Sequence, residues 1–292
     1  MDRFNEPISA AKLLREPFAR EPLTCECPHC GRKLLTMAGA WVQCDEEDPR
    51  RTIVEGLERA CSCEAARVAA EDEKRAQRAA EELARKEREA LRLEQLWGAS
   101  GMPRGWRERG LASWVRETAA QEEAYQTARG YGQALRAKLL PRSLFIAGDI
   151  GTGKTFLASC LAADLVRCGY RVQWCNASGV LRDIRESFGN SRVSESEVLR
   201  RFTGPGTLVL DDLGKERPTE WALEQLFCIL NERYDRQRPV IVTTNYGGED
   251  LVRRLTPRPD ATGWVDDTTA RAIVDRLRAM SNVIKLEGRS WR

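Results

Sequence analysis

The sequence has a single histidine, a net charge of only +3 and no apolar run near the length of a membrane span. Residues 1–20 also lack the apolar core of a secretory signal peptide. These absences argue against a membrane protein and against a globally basic nucleic-acid-binding protein. Any contact with nucleic acid must therefore come from a local basic patch. We therefore expect a cytoplasmic protein with no membrane partner.

Cysteine is plentiful by contrast: six of the ten cysteines fall between residues 25 and 63. In a reducing compartment, clustered cysteines are better explained as metal ligands than as disulfides. The turn C-P-H-C-G at residues 27–31 has the spacing that lets two thiolates reach one tetrahedral Zn²⁺. Cys27 and Cys30 are the first predicted ligands, and either Cys44 with Cys61 or Cys61 with Cys63 completes the site.

Glycine and proline are absent from residues 64–96, where roughly half of the residues are charged and alanine supplies much of the rest. This composition predicts one long solvated helix, and the glycines between residues 98 and 105 end it. We expect a zinc-binding N-terminal domain at 1–63, a charged helical linker at 64–97 and a larger domain at 98–292.

The larger domain contains the stretch S-L-F-I-A-G-D-I-G-T-G-K-T at residues 143–155, with the spacing G-x-x-x-x-G-K-T. Glycines let backbone N–H groups wrap a phosphate chain, and the following helix points its positive end at it. Lys154 is expected to bridge the β- and γ-phosphates of ATP, and Thr155 to ligate Mg²⁺. The predicted nucleotide contacts are Gly148, Asp149, Ile150, Gly151, Thr152, Gly153, Lys154, Thr155 and Phe156.

A second motif, T-L-V-L-D-D at residues 207–212, predicts a buried strand that ends in two carboxylates. A strand parallel to the one before the phosphate loop delivers its last residues to the same edge of the sheet. We expect Asp211 to hold Mg²⁺ and Asp212 to polarise the attacking water. Asn245 follows the next predicted strand and is expected to hold that water against the γ-phosphate.

Strands and helices alternate through this domain, which predicts an α/β fold with a parallel sheet and helices on both faces. The predicted strands are 144–147, 171–175, 207–212 and 239–243. The predicted helices are 117–139, 156–166, 178–187, 194–202, 219–236 and 268–280.

Taken together, G-D-I-G-T-G-K-T, L-V-L-D-D-L-G, T-T-N and D-R-L at 275–277 resemble the AAA+ ATPases. Within them the chain is similar, over about residues 101–292, to the helicase loaders of the DnaC/DnaI type, relatives of the transposition helper IstB. The resemblance implies an AAA+ P-loop fold, Arg276 as an arginine finger, Asn245 as sensor 1 and the 180–202 helices as the loader's extra element. Asp212 stands where many AAA+ proteins have Glu, which implies slow hydrolysis.

The cysteine-rich segment also resembles the N-terminal zinc domain of DnaI-like loaders, which implies Cys27, Cys30, Cys44 and Cys61 as the ligands. By the same resemblance, the chain loads a hexameric replicative helicase, binds ATP, Mg²⁺ and single-stranded DNA, and forms a homo-oligomer on the helicase. The alternatives are an IstB-like transposition helper that binds duplex DNA and a transposase, and a nucleotide-switched adaptor with little turnover.

Single-stranded DNA requires a basic groove with an aromatic platform. The candidate residues are Arg182, Arg185, Arg192, Arg200 and Arg201 with Phe188 and Phe202. The alternative for the same residues is a solvated arginine face above two core phenylalanines.

Overall fold

The structure is a computed structural model that describes residues 23–26, 29–31, 33–36, 41–44, 52–55, 63–187, 194–215, 219–258 and 265–288. The chain divides into two compact units, Met1–Glu87 and Arg88–Arg292. The domain boundaries predicted at residues 63 and 97 stay a prediction. Among the described helices, none combines the length and the apolar character that crossing a bilayer requires.

The N-terminal unit contains two antiparallel hairpins. One pairs β1 (Leu23–Glu26) with β2 (Lys33–Thr36), and the other pairs β3 (Trp41–Cys44) with β4 (Thr52–Glu55). The C-P-H-C-G motif lies between β1 and β2, where Gly31 has a φ of +68°, a left-handed conformation that glycine adopts most readily. His29 and Cys30 are exposed in this turn, whereas Cys27 and Cys61 lie outside the described residues.

The long charged helix α1 runs over Glu64–Ala99, three residues beyond its predicted end. Its side chains are almost all exposed as far as Trp97, which is buried. The Ala66 amide donates to the Cys63 sulfur over 3.4 Å, so Cys63 caps the first turn. An exposed helix of this kind is stabilised by local pairs such as Glu82 with Lys86, 2.9 Å apart, rather than by a core.

The second unit alternates strands with helices, as the sequence predicts. Its helices are α2 (Ala119–Arg136), α3 (Lys154–Arg167), α4 (Ala177–Ser187), α5 (Glu195–Thr203), α6 (Glu220–Asp235), α7 (Gly248–Leu255) and α8 (Thr268–Met280). Its strands are β5 (Ser143–Gly148), β6 (Val172–Asn176), β7 (Thr207–Leu213), β8 (Val240–Thr244) and β9 (Ser281–Leu286). All neighbouring strands pair in parallel, in the order β6-β7-β8-β5-β9. The predicted parallel sheet flanked by helices is confirmed.

Alternate residues of each strand point to opposite faces, and each face has its own apolar core. Leu144, Ile146 and Val209 pack with α2, α3 and the end of α1. Phe145, Leu208 and their counterparts in β8 pack with the helices α4 to α8. Because both faces are covered, the central strands read as continuous apolar runs in the sequence.

Among the described α-helices and strands of this unit, two were not predicted from the sequence: α7 and the edge strand β9. β9 runs beside β5 along its whole length and ends against Gly148. A Cβ at Gly148, whose φ is +156°, would lie 2.0 Å from the Leu286 carbonyl oxygen. Gly148 is therefore required both for the phosphate loop and for the close approach of β9.

Candidate active site

The phosphate loop connects β5 to α3 and depends on two left-handed glycines, Gly151 with φ +89° and Gly153 with φ +94°. Lys154 is 5% exposed, and its Nζ donates to the Asp149 carbonyl over 2.7 Å, so the ammonium group lies over the loop. The Thr152 hydroxyl donates to the same carbonyl over 2.9 Å. The loop thus closes on itself and presents the start of α3, whose first amides lack partners within the helix.

Asp211 is the most buried carboxylate of the site, at 9% exposure near the end of β7. Its Oδ1 accepts hydrogen bonds from Thr155 Oγ1, 2.9 Å away, and from Thr243 Oγ1, 2.6 Å away. Burial raises the pKa of Asp211 above its ordinary value, while the hydroxyls of Thr243 and Thr155 lower it. A carboxylate beside a hydroxyl at the start of the phosphate-loop helix supplies the hard oxygen ligands that Mg²⁺ prefers.

Asp212 is turned out of the strand into the opening of the site. Its φ is +57°, and the pairing of β7 with β8 shifts register between Leu210 and Leu213. Aspartate tolerates this left-handed conformation better than most residues. The Thr243 hydroxyl accepts a hydrogen bond from the Asp212 amide over 2.9 Å, and Lys215 Nζ donates to the carboxylate over 3.0 Å.

A cleft of about 530 Å³ lies between the phosphate loop and the carboxyl ends of β7 and β8. Among the predicted site residues, those lining it are Ile150, Gly151, Gly153, Lys154, Thr155, Phe156, Asp212 and Asn245. Three further residues line it without having been predicted: Trp106, Arg109 and Lys215. Lys215 follows three residues after Asp212, and Thr243 stands within the T-T-N motif, so both lay beside recognised motifs.

Aromatic rings surround the first turn of α3. The Arg109 guanidinium stacks between Trp106 and Phe156, 4.3 Å and 5.2 Å from the ring centres, and donates to Ser159. On the other side, Trp114 stacks with Phe156 at 6.2 Å. A second, apolar cavity of about 160 Å³ lies there, lined by Trp114, Val115, Gln121, Gly153 and Phe156.

The segment that carries Arg109 is held to α3 by hydrogen bonds with Arg167 and Asp164, which pair with each other within that helix. Arg167 contacts Asp164 at 2.6 Å and donates to the carbonyls of Arg107 and Arg109, each over 2.5 Å. The other Asp164 oxygen accepts from the Leu111 amide over 2.8 Å. The segment at residues 107–111 and the helix α3 therefore form one wall of the cleft.

Arg276, the predicted finger, does not line the cleft of its own chain. Its Nε donates to Asn231 Oδ1 over 2.6 Å, and its guanidinium lies 4.5 Å from the Phe227 ring centre. Both partners belong to α6, so the side chain is held against that helix rather than extended into solvent. A role at a neighbouring subunit stays a prediction.

The prediction that Phe202 forms part of an aromatic platform for single-stranded DNA is wrong, because this side chain is fully buried in the core. Arg182 forms ion pairs with Asp183 and Glu186, while Arg185 lies 4.6 Å from the ring centre of Trp221. Phe188 and Arg192 lie outside the described residues. The alternative of a core phenylalanine at 202 is confirmed because the apolar face of α5 turns inward.

The described residues contain no group of three or more His, Cys, Asp or Glu side chains placed to hold a metal ion. The predicted zinc set is only partly within that description, because two of its four cysteines fall outside it. The zinc site therefore stays a prediction.

Comparison with known proteins gives one family match, to the model described as IstB-like ATP binding protein, over residues 141–292. A protein from an insertion sequence of Mycobacterium tuberculosis, named as ATP-binding, is 28% identical over 54% of this chain and 59% of its own length. The replicative helicase loader DnaI of Bacillus subtilis is 24% identical over 52% of this chain and 48% of its own. The loader DnaC of Escherichia coli is 24% identical, over 59% and 70% respectively.

Two solved structures share the fold. The crystal structure of the DnaC helicase loader matches with a TM-score of 0.53 at 22% identity, covering 63% of this chain and all of that one. The crystal structure of DnaI matches with a TM-score of 0.53 at 21% identity, covering 66% and 95%. The predicted AAA+ P-loop fold is confirmed. The chain spans only about half to three fifths of the first two curated relatives.

Thr243→Val tests the electrostatics of the site. The change removes a hydroxyl that lowers the pKa of Asp211, so that pKa should rise further. If Asp211 binds Mg²⁺ as an ionised carboxylate, as the sequence predicts, the acid limb of the pH profile of Mg²⁺-dependent ATP hydrolysis should move to higher pH. Steady-state ATPase assays between about pH 5 and 8 measure this limb.

The matched control is Thr244→Val. Thr244 is equally buried and donates to the Leu213 carbonyl over 2.8 Å, and it contacts no carboxylate among the described residues. This variant should keep the acid limb of the wild-type chain. Coinciding acid limbs for Thr243→Val and wild type would show that Thr243 does not tune Asp211.

Proposed function

Because the chain belongs to the family of IstB-like ATP-binding proteins, we propose that it is an AAA+ ATPase that loads a hexameric replicative DNA helicase. The observation that carries the ATPase part is the contact of Asp211 with Thr155 and Thr243, 2.9 Å and 2.6 Å away. It brings a phosphate-loop hydroxyl and a strand-end carboxylate together beside a cleft that Lys154 also lines. This is the arrangement that Mg²⁺-dependent phosphoryl transfer requires.

In this proposal the side chains divide the work. Lys154 binds the β- and γ-phosphates, and Thr155 and Asp211 hold Mg²⁺, which neutralises charge on the phosphates when bound. Asp212 lies in the opening of the cleft and polarises the attacking water. Asn245 lines the same cleft and orients that water. The short reach of Asp212, together with its contact to Lys215, supports slow turnover in the absence of partners.

We assign the adenine ring to the apolar cavity beside Trp114 and Phe156. This cavity adjoins the start of α3 at Gly153 and offers a ring stacking surface. The cleft, by contrast, is lined by charged side chains, among them Arg109, Asp212 and Lys215. A flat aromatic base therefore fits the apolar cavity, and the triphosphate fits the charged cleft.

The loader function is favoured over other AAA+ roles by the N-terminal segment. Its six cysteines between residues 25 and 63 resemble the zinc domain of DnaI-like loaders, and the two hairpins support a compact unit there. A transposition helper is the second candidate, because the relative from an insertion sequence is 28% identical to this chain. Partner choice separates the two functions, and measured turnover separates both from a nucleotide switch.

The direct test mixes the full chain with the purified hexameric helicase of its host, with and without ATP, and follows the complex by size-exclusion chromatography. We expect a defined complex with the helicase and none with a transposase of the insertion-sequence type. Lys154→Ala should lower ATP affinity about 10- to 100-fold, since contacts to charged groups contribute about 1.5–3 kcal/mol. Lys86→Ala, exposed on α1, is the matched control.

Association with a transposase and duplex DNA, but not with the helicase, would contradict the loader function and support the transposition-helper function. ATP binding by Lys154→Ala at the wild-type level would remove the nucleotide assignment itself.

Arg276 is proposed to complete the site of a neighbouring subunit. Arg276→Ala should bind ATP normally and hydrolyse it poorly, since such fingers contribute about 10³–10⁵-fold in rate. A Lys154→Ala chain, which keeps Arg276, should restore turnover when mixed with it. Steady-state ATPase of the mixture, at fixed total protein with helicase and single-stranded DNA present, measures this.

Arg271→Ala is the control, because Arg271 is an exposed arginine of the same helix paired with Asp267. It should turn over like the wild-type chain. Wild-type turnover by Arg276→Ala alone would contradict the finger, and an inactive mixture would contradict action between subunits.

The N-terminal unit is proposed to hold one Zn²⁺ per chain through Cys27, Cys30, Cys44 and Cys61. The left-handed Gly31 directly after Cys30 and the position of Cys44 at the end of β3 support this set. Cys30→Ser should lose the metal and unfold the unit, because zinc replaces a core in so small a segment. Elemental analysis and limited proteolysis measure both effects.

Cys168→Ser, an exposed cysteine of the second unit, should keep the zinc. Comparing Cys44→Ser with Cys63→Ser identifies the fourth ligand, which we expect to be Cys44. Protein purified without chelator that carries no zinc would refute the site.

A further inference from the structure

A second cleft, which we call the basic cleft, opens at the edge of the sheet opposite the phosphate loop. Its volume is about 430 Å³. It lies where the parallel strands begin: Arg171 directly precedes β6, Gly204 and Pro205 precede β7, and Arg238 precedes β8. The cleft is lined by five arginines: Arg171, Arg200, Arg201, Arg236 and Arg238.

The cationic groups of the basic cleft are only partly neutralised. Two glutamates, Glu197 and Glu232, share the lining with the five arginines. Glu232 pairs with Arg236 at 3.3 Å, and both side chains remain open to solvent. Arg201 pairs with Asp183 at 3.5 Å, whereas Arg171 and Arg200 are exposed and form no ion pair with a described carboxylate. A surface with this excess of guanidinium groups attracts polyanions.

A buried arginine, Arg233, lies behind the turn at residues 203–206, which contributes Thr203, Gly204 and Pro205 to the lining. Arg233 is 1% exposed, and its Nη1 donates to the carbonyls of Phe202 and Gly204 over 2.7 Å and 3.0 Å. Its Nη2 donates to the carbonyls of Gly206 and Pro239 over 2.5 Å and 2.8 Å. Burial lowers the pKa of Arg233 to about 10, so it is still a cation at neutral pH. Its hydrogen bonds fix the 203–206 turn that forms one wall.

The lining also indicates which part of a nucleic acid would bind. No aromatic side chain is among the described residues that line the cleft, so stacking of bases is not provided for. Guanidinium forks match phosphate oxygens with two parallel hydrogen bonds. The arginines lie at the ends of α5 and α6 and just before β6 and β8, so four elements place them around one opening.

We propose that the basic cleft binds the phosphodiester backbone of single-stranded DNA through phosphate contacts alone, independently of base sequence and without the aromatic platform expected from the sequence. This proposal rests on the proposed helicase-loader function and gives the single-stranded DNA expected from the sequence a site distinct from the ATP cleft. It differs from the groove predicted from the sequence, because Arg182 and Arg185 do not line the cleft and Phe202 is buried. Arg171, Arg236 and Arg238 were not predicted to contribute.

The test measures binding of a fluorescent single-stranded oligonucleotide by anisotropy, using the full chain at several salt concentrations. Arg200→Gln/Arg236→Gln should weaken binding at least about tenfold. Each lost phosphate contact lowers the salt slope by about 0.7, so the slope should fall by about 1.4. Arg200→Lys/Arg236→Lys keeps the charge and should keep most of the slope.

The matched control is Arg129→Gln/Arg253→Gln, which removes the same charge from exposed positions on α2 and α7. It should bind as the wild-type chain does, and chemical unfolding of every variant checks that the fold is kept. Equal affinity and equal slope for the cleft variant and the wild-type chain would overturn the proposal. An equal loss in the control would also overturn it, because general charge would then explain binding.

A duplex of the same sequence forms the second arm. A loss confined to the duplex would overturn the single-strand assignment, whereas a loss with the single strand supports it. Helicase association of the wild-type chain is measured in parallel. If the helicase complex forms and the cleft variant binds the single strand as the wild-type chain does, the DNA site alone is rejected. If no helicase complex forms, the loader function is rejected.

Discussion

The site depends on one carboxylate that is kept almost out of water. Asp211 is 9% exposed and accepts hydrogen bonds from Thr155 on α3 and Thr243 on β8. Burial raises the pKa of Asp211, and the hydrogen bonds from the two hydroxyls lower it. Because a single oxygen joins three elements, the phosphate-loop helix and the ends of β7 and β8 are held in one geometry. Lys154, Asp212 and Asn245 line one cleft as a result.

Much of this arrangement could be predicted because its signals are short in sequence. Glycine spacing predicted the loop, apolar runs ending in polar residues predicted β7 and β8, and alternation with helices predicted a parallel sheet. The bounds of α8, residues 268–280, agree with the prediction because its apolar residues recur at helical spacing. The roles of individual site residues remain proposals, since the geometry gives their positions and chemistry alone.

What could not be predicted arises from contacts between distant segments. β9 has polar residues at positions open to solvent and lacks a strong strand pattern, and only its pairing with β5 reveals it. Phe202 lies next to two arginines in sequence, yet the inward face of α5 buries it. The basic cleft joins residues from positions 171, 200 and 236, which no local pattern connects. Thr243 belongs to the site because its hydroxyl donates to Asp211, which is 32 residues away in the sequence.

The central claim is that Asp211 is held as a buried anion, at a cost in stability, in order to bind Mg²⁺. The pKa of Asp211 is raised in the folded chain. At pH values above the ordinary carboxylate pKa, the ionised side chain therefore destabilises the nucleotide-free fold. Asp211→Asn keeps an oxygen for both threonines and removes the charge. Chemical unfolding at neutral pH, with and without Mg·ATP, compares it with the wild-type chain. The variant should be more stable without nucleotide and gain less from Mg·ATP; lower stability without nucleotide, or an equal gain, would contradict the claim.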